Sequence, residues 1–202
     1  MDKYFNFAEL KKYEEEGEDY IVRYRYADSD TAIMAPHGGG IEPGTHDIAD
    51  EVAGKDFLFY SFSGIKKRGN SILHISSTRF DEPLAMETAR KAFTVITLHG
   101  CRGKGEIVYT GGKNNKLKSG LSIKLAEAGF KVEHSQDDEL KGKSDYNICN
   151  RCRSGKGVQL EISMGLRQKM FDDRDCFYGA ARTEIFYKFV DALREVFLYD
   201  NR

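Results

Sequence analysis

Two histidines and a glutamate carry the first chemical signal in this chain. His37 opens the run His37-Gly38-Gly39-Gly40-Ile41-Glu42-Pro43-Gly44-Thr45, and His99 opens His99-Gly100-Cys101. Imidazole nitrogens and carboxylate oxygens are ordinary zinc ligands. Glycines let the backbone double back, so His37 and Glu42 can face one point. Two His and one Glu with a fourth position open form the ligand set of a hydrolytic zinc site. Either histidine alone reads more simply as a turn cap or a satisfied strand-end side chain. The pair, with Glu42 and the glycines, points to a metal.

Hydrolysis at such a centre also needs a carboxylate that moves protons. In Val158-Gln159-Leu160-Glu161-Ile162-Ser163, strand alternation puts Gln159, Glu161 and Ser163 on one face and Leu160 and Ile162 on the other. Glu161 is therefore the candidate acid–base. The plainer alternative is a solvated glutamate on a half-exposed edge strand.

These residues need elements to hold them. Thr31-Ala32-Ile33-Met34 precedes the His37 run, and Phe93-Thr94-Val95-Ile96-Thr97-Leu98 precedes His99; both read as buried strands. In open α/β sheets functional groups collect at the carboxyl ends of strands, where both histidines fall. Helices are expected over residues 6–17, 42–53, 82–91, 114–128 and 182–199. Further strands are expected over 20–26, 56–62, 71–75, 106–109, 130–133 and 158–163. The turn at 27–30 predicts a hairpin into the Ile33 strand, and 66–70 a second hairpin-like link. Residues 134–147 are polar and expected to be irregular. The alternation predicts an α/β fold, a mixed central β-sheet flanked by helices, in one domain over 1–202.

Composition narrows the classes. The chain has 202 residues, 40% of them apolar, enough for a sheet buried on both sides. A net charge of −1 gives no global pull on nucleic acid, and no apolar run is long enough to span a membrane. The N-terminal Met1-Asp2-Lys3-Tyr4-Phe5-Asn6 lacks an apolar signal core, so a cytoplasmic protein is expected, and a monomer. Four cysteines, Cys101, Cys149, Cys152 and Cys176, are then expected reduced. Cys149 and Cys152 lack the second ligand pair that a structural zinc needs. The glycine runs end in neither a phosphate-loop nor a dinucleotide pattern, which argues against nucleotide binding. Of the other histidines, His74 reads as a core or near-site residue, His46 as a neighbour of the ligand helix, and His134 as peripheral.

Four blocks carry a resemblance: His37-Gly38-Gly39-Gly40-Ile41-Glu42-Pro43-Gly44-Thr45; Leu73-His74-Ile75-Ser76-Ser77-Thr78-Arg79-Phe80-Asp81-Glu82-Pro83; His99-Gly100; and Val158-Gln159-Leu160-Glu161-Ile162-Ser163. Together, from about Tyr20 to Val196, the chain resembles the poly-γ-glutamate hydrolases, phage-type enzymes with homologues in bacilli. That family looks like a compact relative of zinc carboxypeptidases. Digestive carboxypeptidases place two residues between the first His and the Glu; here four stand there, Gly38 to Ile41, so the match is to the smaller family. The resemblance implies zinc on His37, Glu42 and His99, Glu161 as general base, and cleavage of γ-glutamyl amide bonds in a polyanionic polymer.

Such a polymer presents a carboxylate on every unit, and Arg forks match carboxylates. Arg79 and Arg151 are the first candidates to bind it, then Arg102 and Arg153, with Asn150 adding an amide hydrogen bond. A zinc amidase acting on peptidoglycan or another acyl-amino acid, and a non-catalytic homologue, are the alternatives.

Overall fold

In this computed structural model residues 2–135, 140–173 and 179–199 are described. Cys176, and the part of the polar stretch expected to be irregular that spans 136–139, lie outside them. Seven strands form one mixed sheet: β1 (Tyr20–Arg25), β2 (Thr31–Gly39), β3 (Leu58–Gly64), β4 (Thr94–Cys101), β5 (Ile107–Gly112), β6 (Lys131–His134) and β7 (Val158–Ser163), in the order β1-β3-β2-β4-β7-β5-β6. The middle strands β3, β2, β4 and β7 run parallel; β1 pairs antiparallel with β3, β5 pairs antiparallel with β7, and β6 runs parallel to β5.

Helices cover both faces. On one side α2 (Thr45–Ala53), α4 (Asn115–Glu127) and α6 (Glu184–Tyr199) pack on Ile33, Ala35, Ile96, Leu98, Leu160 and Ile162. On the other, α1 (Phe7–Leu10) and α3 (Pro83–Lys91) pack on Ala32, Met34, Tyr60 and Val95. Two-sided burial is why the parallel strands read as near-continuous apolar runs. α3 starts where Pro83 fits the first turn and the Glu82 carboxylate accepts from the N–H groups of Leu84 and Ala85. The short α5 (Met164–Lys169) leaves β7 directly, capped by the Ser163 side chain.

β2 leads through α2 to β3 on one flank, and β3 leads through α3 to β4 on the other. The connections reverse direction between β2 and β4, and that crevice is where α/β sheets bind ligands. His37 and His99 sit on those two strands.

Four local readings change. β1 pairs with β3, not β2, so residues 27–30 form a connection and no hairpin. Residues 70–73 form a 3-10 turn instead of a strand, so 66–70 joins no hairpin, and Leu73 and Ile75 are buried in the core. The first helix stops at Leu10, well short of residue 17. Glu14, Glu15 and Glu16 would repel one another at a helix C-terminus, and Glu14 instead turns inward to Lys3 and Lys66. β7 is no edge strand: it lies between β4 and β5 and is buried throughout.

Candidate metal centre

Strict alternation along β2 would send His37 to the same face as Ile33 and Ala35. The ladder to β3 slips between Ala35 and Gly38, so one extra residue enters β2. A bulge of this kind re-aims a side chain, and Pro36, with no N–H to lose from the ladder, occupies it. His37 thereby joins His99 on the face of Ile75 and Phe80, where its ring stands near-perpendicular to that of Phe80 with 5.9 Å between centroids. Gly38 fills the return: a Cβ there would lie 2.6 Å from the hydroxyls of both Ser61 and Ser63. Glu42 is brought round when its N–H donates to the His37 carbonyl at 2.9 Å.

The donor atoms converge. His37 Nδ1 lies 3.1 Å from Glu42 Oε1 and 3.1 Å from His99 Nδ1, and His99 Nδ1 lies 3.6 Å from Glu42 Oε2. Ligands of a tetrahedral zinc at about 2.0–2.1 Å sit roughly 3.3 Å apart. The protonation pattern fits as well. His37 Nε2 faces the Ile75 carbonyl at 2.8 Å, so the neutral ring keeps its proton on Nε2 and offers Nδ1 as a bare lone pair. That lone pair faces Glu42 Oε1, itself an acceptor, and a cation between them relieves the opposition. Gly100 N–H donates to Glu42 Oε2 at 2.8 Å and fixes the carboxylate. His99 Nε2 is buried and finds no partner among the described residues.

Glu161 is the in-register neighbour of His99 across β4 and β7, so both side chains leave the sheet on one face. A relay holds it: Asn147 Nδ2 donates to Gln159 Oε1, and Gln159 Nε2 donates to Glu161 Oε1, each at 2.8 Å. Burial, then the nearby Glu42 charge, pushes the Glu161 carboxyl up to about 8. Burial works against ionisation of Glu42 too, but the His37 and His99 rings, when charged, outweigh it and hold that carboxyl well below the usual range. The neighbouring His37 ring, with burial, brings His74 down to about 4. Burial raises the Cys101 thiol to about 11, so it stays protonated.

These shifts set a pH dependence for the metal-free protein. Glu161 prefers its proton when folded, so its contribution is full below the unfolded carboxyl value and is lost as pH rises through about 8. His74 is depressed to about 4, so its contribution grows between there and the ordinary histidine value near 6.5 and opposes Glu161 in that range. Above about pH 6.5 the Glu161 slope stands alone. Thermal melts of metal-free protein are expected to fall by a few degrees between pH 6.5 and 8, and Glu161→Gln to flatten that slope. A slope unchanged in the variant would assign it elsewhere.

Arg167, on α5, was not singled out by the sequence. It is 2% exposed, among the largest fully buried side chains. Its guanidinium donates to three carbonyls: Pro43 at 2.6 Å, Cys101 at 3.2 Å and Ile162 at 3.0 Å. These follow Glu42, His99 and Glu161 by one or two residues, so one side chain ties together the three segments that carry the site. Gly100 makes room for it, since a Cβ there would fall 2.6 Å from Arg167 Cζ.

The substrate-binding candidates are spread out. Arg79 lies near the cluster, with Nη2 on the Asp2 carboxylate at 2.9 Å and its guanidinium over Phe5. Arg102 is exposed just beyond β4. Arg151 donates to the Tyr146 carbonyl and contacts the Met86 sulfur; neither partner belongs to the cluster. Exposed Arg153 pairs with Asp30. The buried Asn150 side chain bonds the carbonyls of Gly142 and Ser144 and the N–H of Gly157, which makes it part of the scaffold. A cleft of about 530 Å³ lined by Thr110, Lys118, His134 and Lys143 shares no residue with the cluster, and the chemistry above places the site at the cluster.

A donor trio at the switch point of an α/β sheet, with a buried carboxylate on the next strand, defines a hydrolase with a capacity to hold a metal. Comparison with known proteins makes the class particular. The sequence model of the family described as poly-gamma-glutamate hydrolase matches residues 4–192, and the chain belongs to that family. It is 38% identical over 194 residues to UPF0714 protein YndL of Bacillus subtilis (strain 168), covering 95% of this chain and 76% of that protein. The solved structure of a bacteriophage poly-gamma-glutamate hydrolase superposes with a TM-score of 0.95 at 32% identity, covering 100% and 99% of the two chains. A structure described as YNDL-apo (Zinc-free) gives 0.93 at 35% identity, covering 100% of both.

Proposed function

We propose that the chain cleaves the γ-glutamyl amide bonds of poly-γ-glutamate with zinc held by His37, Glu42 and His99 and with Glu161 as general base. The convergence of three metal-type donors beside Glu161 carries this reading. Zinc, when bound, supplies a Lewis acid for the scissile carbonyl and lowers the pKa of water. Glu161 takes the proton of the attacking water and delivers it to the leaving amine nitrogen. Its high proton affinity in the empty site falls when a cation sits beside it, which suits a group that must both take and give a proton. The Gln159–Asn147 relay holds the carboxylate in place. Arg79, linked through Asp2 to His74 beside His37, is the proposed arginine that meets a carboxylate of the polymer. The zinc-free description of the YndL structure supports zinc over other divalent ions.

The test is chain length. Purified protein is expected to shorten poly-γ-glutamate on a gel, to stop with a chelator, and to resume when zinc is restored. Zinc at a thousandfold excess over its dissociation constant adds about 4 kcal/mol of stability, so the melting temperature should rise with it. A folded, zinc-loaded protein that leaves the polymer intact would redirect the reading to another acyl-amino acid or to a peptidoglycan amide. A protein that takes up no metal would remove its basis.

A further inference from the structure

One carboxylate beside the cluster is unexplained by the reaction. Asp2 Oδ1 lies 2.8 Å from His74 Nδ1, and Asp2 Oδ2 accepts from Ser76 N–H at 2.8 Å and from Arg79 Nη2 at 2.9 Å. Three donors of different kinds thus converge on a single carboxylate: an imidazole, a backbone amide and a guanidinium. The donors are tied to the metal centre. The His74 ring packs against His37 at 4.1 Å between centroids, tilted by 35°, and its Nε2 lies 3.8 Å from Glu42 Oε1. Ile75, between His74 and Ser76, supplies the carbonyl that fixes the His37 tautomer. A carboxylate in this position is one imidazole away from the cluster.

We propose that His74, Ser76 N–H and Arg79 form a subsite for the α-carboxylate of a γ-linked glutamyl unit next to the scissile bond, and that Asp2 occupies it until substrate displaces it. This rests on the reading of the site as a poly-γ-glutamate hydrolase centre. The substrate class follows from the donors, which suit a carboxylate and offer nothing to an apolar or cationic group. Asp2 is free to yield. It precedes Tyr4, whose ring is buried, and the segment stays docked through Phe7 and Leu10 in the core and through Phe7 N–H on Asp81. Loss of the Asp2 contact therefore leaves the fold in place. Arg79 keeps its position over the Phe5 ring at 4.8 Å when the carboxylate changes.

The experiment compares Asp2→Asn and Arg79→Gln with the parent chain, using full-length zinc-loaded protein and free-acid poly-γ-glutamate. Asp2→Asn is expected to lower KM about three- to tenfold with kcat within a factor of two, and Arg79→Gln to raise KM about tenfold. Binding is read separately by titrating the polymer into the same substitutions made on Glu161→Gln, which removes turnover. Asp2→Asn should tighten binding there and Arg79→Gln weaken it. Polymer methyl-esterified on its α-carboxylates should bind the parent weakly, and Arg79→Gln should lose that discrimination. Equal KM and equal binding in Asp2→Asn and the parent would overturn the proposal, as would a rise in KM with a lower melting temperature, the mark of a strap that only holds the segment. If the parent neither shortens nor binds the polymer, the reading of the reaction itself fails; a parent that shortens it while Asp2→Asn changes nothing defeats the subsite alone.

Discussion

Glu161→Gln will lower kcat on poly-γ-glutamate by about 10²–10⁴-fold while the protein keeps its fold and its bound zinc. The magnitude is that of losing a positioned general acid–base. Retention of fold follows from the hydrogen bonding. Gln159 Nε2 donates to Glu161 Oε1 at 2.8 Å, and an amide oxygen accepts that bond equally well. Metal uptake should persist because the carboxylate is outside the donor trio of His37, Glu42 and His99. KM should move little, since the loss falls on the transition state. Steady-state kinetics with a zinc determination on the same sample checks both halves. Activity within threefold of the parent would take the base role from Glu161. Loss of zinc together with activity would instead make it part of the metal site.

Arg167→Ala is expected to produce the largest stability loss of any single substitution around the site, about 3–5 kcal/mol, as for breaking a buried charge network. Three carbonyls, of Pro43, Cys101 and Ile162, lose their donor in the interior, and unpaired buried acceptors are costly. Glu42 and Glu161 also lose a neighbouring cation that favours their charged forms. At about 2–4 °C per kcal/mol for a chain of this size, the melting temperature should drop by roughly 10 °C. Zinc affinity should fall about 10–100-fold, because the loss reaches the segments that position the ligands. Arg167→Lys is expected to recover only part of this, since an ammonium lacks the planar fork that reaches three carbonyls. Calorimetry of the metal-free protein and zinc competition against a chelating dye separate the two effects. A variant that melts with the parent and binds zinc as tightly would show that the three segments hold their positions without the guanidinium.

The donors themselves were legible from local order. His37 and His99 each follow an apolar run, Glu42 follows a glycine run, and period-two alternation put Glu161 and Gln159 on one strand face; the structure brings His37, Glu42 and His99 together and sets Glu161 beside His99 on the next strand. Strand and helix segments were legible for the same reason, because burial on both sheet faces writes itself into consecutive residues. Pairing was not. β1 lies against β3 with one strand skipped, a choice made by the sheet as a whole and invisible in the turn at 27–30. The bulge that turns His37 to the face of His99 depends on how β2 meets β3, since alternation alone would point the histidine away. Arg167 bears no periodic mark, and nothing in its neighbours signals that its guanidinium will meet carbonyls 124, 66 and 5 residues distant. Asp2 likewise acquires its meaning only from His74, Ser76 and Arg79, 72 to 77 residues on. The sequence by itself determined which atoms are able to bind a metal and move a proton, because those are properties of side chains and of short-range period. The tertiary structure decided which way they face and what holds them there, because facing and support come from contacts between residues far apart in the chain.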